Sequence, residues 1–145
     1  MRTYSKVVIN KKALRMAQTG HPWVYGEEVV RIDGLWQTGD LVDVYSEKNK
    51  YVGTGFINDI SKIRVRLVSR NANDTFDDAF WRRRVDYALA YRRTVMGEDD
   101  FSCCRLIFGD ADEMPGLTVD LFSDVLVTQT LCYGMDRIKE RIFKP

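Results

Sequence analysis

Residues 20–25, which read GHPWVY and hold the chain's one histidine, are the feature that most limits how the chain can fold. Gly20 is suited to end a helix in the left-handed region of backbone space, and Pro22 keeps His21 extended. A short helix is therefore expected to end here, where the chain enters a strand. Two interpretations of the aromatic residues are open. Either Trp23 and its neighbours anchor a small core, or the turn belongs to a surface that binds an anionic polymer.

The segment before this turn predicts a short amphipathic helix. Asn10 is suited to cap a helix over residues 11–18, because its side chain can accept a hydrogen bond from the first turn. At helical spacing the apolar residues fall on one side and the cations on the other. The apolar residues are Ala13, Leu14 and Ala17, and the cations are Lys11, Lys12 and Arg15. The helix is thus expected to display three positive charges on one small surface.

The rest of the first 70 residues predicts several short strands, which favour a compact mixed β-barrel. The strands are expected at 4–9, 24–32, 41–45, 51–57 and 63–68. In the last of them, apolar residues alternate with Arg64, Arg66 and Ser69, which predicts one core face and one cationic, solvated face. Gly53 and Gly55 lie inside a strand pattern, so they indicate a bulge or barrel corner and not a phosphate-binding loop.

The second half predicts a separate α/β domain. The polar segment at 70–75 is typical of a boundary, which divides the chain into domains at 1–70 and 71–145. Asp77 is suited to cap a helix that ends near Met96. Strands are expected at 105–108, 117–121 and 125–131, and a last helix at 134–143. Arginines 82–84 are expected on a solvated helical face, with contact to nucleic acid as the alternative.

Three carboxylates, those of Asp110, Asp112 and Glu113, lie in one loop at residues 109–116. Such a group can bind a divalent cation or perform acid–base chemistry. The spacing matches no calcium loop, because the central glycine and the terminal glutamate are missing. Hydrogen bonds that shape the loop are therefore the favoured interpretation.

Length and charge narrow the function classes. The 145 residues are 45% hydrophobic, which is enough for one core or two small ones. Residues 1–70 hold 12 Lys or Arg against 7 Asp or Glu, a net charge of +5, whereas residues 71–145 hold 10 against 14, a net charge of −4. The first half is therefore the better candidate for contact with phosphates.

No segment suggests a membrane or an oxidising compartment. Spanning a bilayer takes about 18 consecutive apolar residues, and no run approaches that length. The first residues also lack the apolar middle of a signal peptide, so we expect a soluble cytoplasmic protein. Cys103, Cys104 and Cys132 form an odd set without metal-ligand spacing, which predicts reduced structural thiols and no metal site.

The order of these features resembles one bacterial family. The resemblance rests on GHPWVY (20–25), GDLVDVYSEKNKYVGTGFIN (39–58), SKIRVRLVSR (61–70) and above all RLIFGDADEMPGLTVDLFSDVLVTQTL (105–131). The family is the PUA-domain-containing methyltransferases, dependent on S-adenosylmethionine (SAM), that form 5-methylcytidine in 23S ribosomal RNA. The resemblance covers nearly the whole chain.

The resemblance implies an α+β protein whose domains have distinct roles. Residues 1–70 are expected to form a PUA-like RNA-binding pseudobarrel, and 71–145 part of a small central α/β domain. The Rossmann-like methyltransferase domain is expected to be absent, because neither a glycine-rich cofactor turn nor a nucleophilic cysteine motif is visible. SAM would then serve the full-length family, and no cofactor or metal is expected for this chain.

The resemblance also implies which residues contact RNA. Lys11, Lys12 and Arg15 would pair with phosphates, His21 would donate to phosphate or ribose, and Tyr25 would stack if exposed. No catalytic residue is expected in this chain. The loop residues Asp110, Asp112, Pro115 and Gly116 are expected near the active site of the full-length family.

Three hypotheses for function remain open from the sequence. The first is the RNA-recognition portion of a ribosomal RNA cytosine-C5 methyltransferase. The second is a PUA-type RNA-binding module that acts without catalysis. The third is an interaction domain, in which residues 125–131 and the last helix bury against a partner or a second copy in a homodimer.

Overall fold

The computed structural model describes residues 3–97 and 100–144. The chain forms two compact units, Met1–Asp74 and Thr75–Pro145. Both units combine strands with few helices, so the predicted α+β class is confirmed. Within the described ranges, no helix is long and apolar enough to cross a membrane.

The first unit is built on one mixed six-stranded sheet. Its elements are β1 (Ser5–Ile9), α1 (Lys11–Gln18), β2 (Trp23–Tyr25), β3 (Val29–Asp33), β4 (Leu41–Ser46), β5 (Tyr51–Ile57) and β6 (Ile63–Ser69). The strand order is β2-β6-β5-β4-β1-β3. The β1–β4 pair is parallel and the other pairs are antiparallel. Consequently β2 lies at one edge of the sheet, beside β6.

Helix α1 forms as the sequence predicts, because both of its ends carry local signals. The side chain of Asn10 accepts a hydrogen bond of 3.0 Å from the Ala13 amide, which caps the first turn. Ala13 and Ala17 are buried against the sheet, whose core is made mostly of valine and isoleucine. Gly20 follows with φ of 95°, the left-handed conformation expected of it. The turn into β2 is therefore fixed by sequence-local chemistry.

The prediction of one continuous strand at 24–32 is wrong. A short 3-10 turn, Gly26–Glu28, separates β2 from β3. The carboxylate of Glu28 accepts a hydrogen bond of 2.9 Å from the Tyr25 amide, which stabilises the turn. The two strands then pair with different partners, β2 with β6 and β3 with β1. The break between the two strands is not visible in the sequence, because apolar residues lie on both sides of the turn.

Strand β6 agrees with one prediction and corrects another. The register with β5 shifts between Thr54 and Gly55, and a Cβ at Gly55 would overlap the Arg66 carbonyl. The predicted bulge is confirmed. The predicted solvated face is wrong, because Arg64 and Arg66 are half-buried and Ser69 is buried. Residues 71–74 cover Ser69, whose hydroxyl donates a hydrogen bond to the Asp74 carboxylate and accepts one from the Asn71 amide.

The second unit places two helices with a three-stranded antiparallel sheet. Its elements are α2 (Asp78–Val95), β7 (Cys103–Phe108), β8 (Leu117–Phe122), β9 (Val125–Thr130) and α3 (Tyr133–Ile142), in the sheet order β7-β8-β9. The predicted helices and strands are confirmed, with β7 beginning two residues earlier than expected. Asp77 caps α2 by accepting a hydrogen bond of 2.8 Å from the Phe80 amide. That hydrogen bond holds the pKa of Asp77 below its ordinary value.

Candidate nucleic-acid interface

The three cations of α1 do not have equal surroundings. Lys11 and Arg15 are exposed on the helix. The ammonium of Lys12 lies 3.6 Å from the Glu27 carboxylate and 3.4 Å from that of Glu28. Because the Glu28 side chain is only 3% exposed, Lys12 supplies positive charge beside a buried anion. Lys11 and Arg15 are therefore the cations of α1 best placed for an external ligand.

Three aromatic residues alternate along the edge of the sheet and share one side. The ring of His21 lies 5.5 Å from that of Trp23 at an interplanar angle of 61°, and 6.3 Å from that of Tyr25 at 27°. All three side chains are half-buried, whereas Val24, between them, is buried. The core-anchor interpretation is confirmed for Val24, whereas Trp23 lies on the opposite face of β2 and is half-buried.

Two arginines contact the row of aromatic residues formed by His21, Trp23 and Tyr25. The register of β2 and β6 sets Trp23 opposite Arg66, whose guanidinium carbon lies 5.2 Å from the Trp23 ring centroid. Arg70 donates hydrogen bonds of 3.0 and 3.1 Å to the carbonyls of Gly20 and His21. A guanidinium over an aromatic face is an attractive cation–π contact. Arg70 thus fixes the turn, and Arg66 adds a cation beside Trp23.

Helix α1 and the aromatic residues that follow it together supply the side chains that we call the α1–β2 surface. It consists of Lys11, Arg15, His21, Trp23, Tyr25 and Arg66. Cations beside partly exposed aromatic rings can pair with phosphates and stack on bases. Sequence reasoning selected Lys11, Arg15, His21 and Tyr25 but missed Trp23 and Arg66. The alternation of arginines in β6 was a visible signal, but the neighbour of that strand was unknown.

The acidic loop is held by ion pairs inside the second unit. Both carboxylate oxygens of Asp112 accept hydrogen bonds from Arg92, at 3.1 and 2.6 Å, and one also accepts from the Phe108 amide. The side chains of Asp112 and Arg92 are 9% and 12% exposed. Glu113 forms an ion pair with Arg84. These contacts support the loop-shaping interpretation of Asp112 and Glu113.

The remaining loop residues set the backbone path. Pro115 is buried, Asp110 is half-buried, and the Gly116 carbonyl accepts a hydrogen bond of 2.7 Å from the Leu131 amide. Among the residues that the structure describes, no group of three or more His, Cys, Asp or Glu side chains is arranged to hold a metal. The proximity of Asp110, Asp112, Pro115 and Gly116 to an active site stays a prediction.

The described residues of the second unit do not form a Rossmann-type site for SAM. A Rossmann-type site requires a glycine-rich turn that leads from a parallel strand into a helix. In the described part of the second unit the strand pairs are antiparallel, and the junction between β9 and α3 is Leu131-Cys132.

The first unit matches a known family of domains. Residues 7–70 match the family model described as a PUA-like domain. This range runs from β1 through β6 and includes α1 and the turn at Gly20. The first unit therefore has the PUA-like pseudobarrel fold that the sequence predicts.

The relatives of the chain are methyltransferases. The chain is 30% identical over 138 residues to a ribosomal RNA large subunit methyltransferase I from Alteromonas mediterranea, a match that covers 95% of this chain and 35% of the relative. It is 32% identical over 131 residues to the protein of that name from Enterobacter sp., covering 90% and 33%. The chain thus spans about a third of the length of the curated relatives it matches.

A solved structure gives the same fold. The chain from Streptococcus mutans, assigned provisionally as a SAM-dependent methyltransferase, aligns with a TM-score of 0.79 over 94% of this chain and 35% of its own. At 17% identity this likeness establishes the fold alone. The predicted resemblance to ribosomal RNA large-subunit methyltransferases is confirmed by the sequence relatives, and the cytosine-C5 specificity stays a prediction.

Proposed function

We propose that this chain is the RNA-recognition portion of a SAM-dependent methyltransferase that forms 5-methylcytidine in large-subunit ribosomal RNA. The observation that carries the proposal is the α1–β2 surface, in which Arg66 lies over the Trp23 ring and two exposed cations lie on the preceding helix of a PUA-like fold. The names of the relatives support ribosomal RNA as the ligand. The cytoplasm is proposed as the location. SAM is proposed as the cofactor of the full-length protein, and no cofactor for the residues of this chain.

Each part of the α1–β2 surface has its own task. Lys11 and Arg15 pair with phosphates, which orients the RNA without reading its sequence. The rings of His21, Trp23 and Tyr25 accept an unpaired base by stacking, and Arg66 adds a cation beside Trp23. These residues capture substrate, and the transfer of methyl to C5 is the task of the full-length enzyme.

Charge reversal on α1 tests the proposal. The double variant Lys11→Glu/Arg15→Glu should weaken binding to large-subunit ribosomal RNA fragments at least about tenfold in a gel-shift titration. Lys12 is left intact, because its loss would leave Glu28 buried without its cation. The control Lys48→Glu/Lys50→Glu makes the same charge change at an exposed turn of the same unit. Equal loss in both variants, or none in the first, would exclude the α1–β2 surface.

Self-association is a second candidate function, favoured by strand β9. This strand is at the sheet edge, Val125, Leu126 and Val127 are each about half exposed, and Val125–Thr130 contains no charged residue. Edge strands of monomers are commonly protected by charge, proline or a bulge. A homodimer that pairs β9 with its copy should dissociate in the variant Val127→Lys, measured by light scattering. A native chain that stays monomeric at high concentration would exclude the homodimer.

A further inference from the structure

Helix α2 is a cationic element in an otherwise acidic unit. It carries five arginines against Asp78 and Asp86. The rest of residues 75–145 holds five Lys or Arg against eleven Asp or Glu. Such segregation concentrates positive potential on one helix and favours an anionic partner.

The arginines of α2 divide into two groups. Arg84 and Arg92 are largely buried and form ion pairs with Glu113 and Asp112. Arg82, Arg83 and Arg93 are exposed. The first group stabilises the unit, and the second supplies positive charge at its surface.

Two tyrosines follow the exposed Arg83 at four-residue steps along the helix, whereas Arg82 and Arg93 lie on another side. Tyr87 is 68% exposed and Tyr91 is 59% exposed. Because they are four residues apart on a helix, their side chains are neighbours on the surface. Rings with this exposure contribute little to the core of the unit.

The ring of Tyr91 has a rigid support. The guanidinium of Arg92 lies 5.2 Å from the Tyr91 ring centroid. Arg92 is itself held by two hydrogen bonds to Asp112 and by one of 2.8 Å to the Arg105 carbonyl. The acidic loop thus fixes the arginine on which Tyr91 packs, and most of that ring remains in solvent.

We infer that the stripe of α2 formed by Arg83, Tyr87 and Tyr91 is a second RNA-binding surface, on which unpaired bases stack on the two tyrosines while Arg83 pairs with an adjacent phosphate. Aromatic rings interleaved with arginines are how proteins hold single strands without reading sequence. Duplex RNA keeps its bases stacked inside the helix, so this surface selects single-stranded RNA. The inference shares its ligand class with the proposed function but rests on different residues.

The test uses the full chain and a short single-stranded RNA that carries the fluorescent base 2-aminopurine. Stacking on a tyrosine should quench the emission in the native chain. The variant Tyr87→Ala/Tyr91→Ala should abolish this quenching and weaken affinity at least about tenfold, whereas Tyr87→Phe/Tyr91→Phe should keep both. Tyr133→Ala is the matched control, because Tyr133 is similarly exposed in the same unit. Thermal denaturation verifies that each variant is folded.

The outcomes separate this inference from the proposed function. Loss of affinity in the alanine pair, with none in Tyr133→Ala, supports the α2 surface. Unchanged affinity and emission in the alanine pair, together with a loss in Lys11→Glu/Arg15→Glu, overturn the α2 surface and leave the proposed function standing. Loss only in the α2 variants overturns the α1–β2 surface instead. A native chain that binds no RNA overturns both.

Discussion

At the scale of single residues, Glu28 organises the α1–β2 surface although it faces the interior. Its carboxylate accepts from the Tyr25 amide and lies beside Lys12, so it joins the turn after β2 to helix α1. A buried carboxylate is retained only where such partners compensate its lost hydration. Glu28 therefore explains both the break in the strand and the reduced availability of Lys12 to a ligand.

His21 is the residue at which contact and core roles can be separated. The variant His21→Ala should weaken RNA binding by about 1–3 kcal/mol, because a ring beside Tyr25 and Trp23 is lost from the stacking surface. Its melting temperature should stay near that of the native chain, since the side chain is only half-buried. His21→Phe keeps a ring and should retain most of the affinity. A large fall in melting temperature with unchanged binding would assign His21 to the core.

Gly116 is held in a conformation that a side chain does not tolerate. Its φ is 74°, and a Cβ would lie 2.5 Å from the Cβ and 2.7 Å from the amide nitrogen of Cys132. Gly116→Ala should therefore lower the free energy of unfolding by more than about 1 kcal/mol in urea denaturation. Gly97→Ala is the control, since a Cβ there meets nothing within 4 Å. Equal stability of the two variants would contradict this account of the loop.

At the scale of elements, helix α2 begins at the capping residue Asp77, whose negative charge stabilises the folded chain. The Phe80 amide donates to Asp77 and lowers the pKa of this carboxyl group. A lowered pKa in the folded state means that the ionised form stabilises the fold. This contribution is complete above the ordinary pKa of aspartate, about 3.9, and is lost as the pH falls through the lower folded value.

The variant Asp77→Ala should consequently melt at a lower temperature than the native chain near neutral pH. The difference should shrink as the pH falls from about 3.9 through the lower folded-state pKa, because the unfolded chain is protonated first and the native cap afterwards. Asp124→Ala, at an exposed turn, should change the melting temperature little at either pH. A difference for Asp77→Ala that is independent of pH would exclude a charged cap.

The elements that sequence reasoning identified are those with local signals. Asn10 and Asp77 are both followed by helical patterns, and both cap a helix in the structure. The break between β2 and β3 escaped, because it depends on a side-chain contact of Glu28 and on pairing with β6 and β1. The cations of α1 could be predicted because they lie on one helix whose spacing is visible in the sequence. The Trp23–Arg66 contact could not, because it depends on the register of two distant strands.

At the scale of the whole molecule, charge is divided between the two units. Residues 1–70, which include the PUA-like fold, carry a net charge of +5, and residues 71–145 carry −4. Within the second range, helix α2 is a positively charged segment. Two separate cationic and aromatic surfaces are therefore proposed, one on each unit. The chain spans about a third of the length of the relatives it matches, and RNA capture is the role that we propose for these surfaces.

The central claim is that Lys11 and Arg15 bind RNA phosphates, and the salt dependence of affinity tests it most directly. Each phosphate contact on single-stranded RNA contributes about 0.7 to the slope of log affinity against log salt, because bound counterions are released. The variant Lys11→Gln/Arg15→Gln should therefore bind a ribosomal RNA fragment with a slope reduced by about 1.4 relative to the native chain. Parallel lines for the two proteins would contradict the claim.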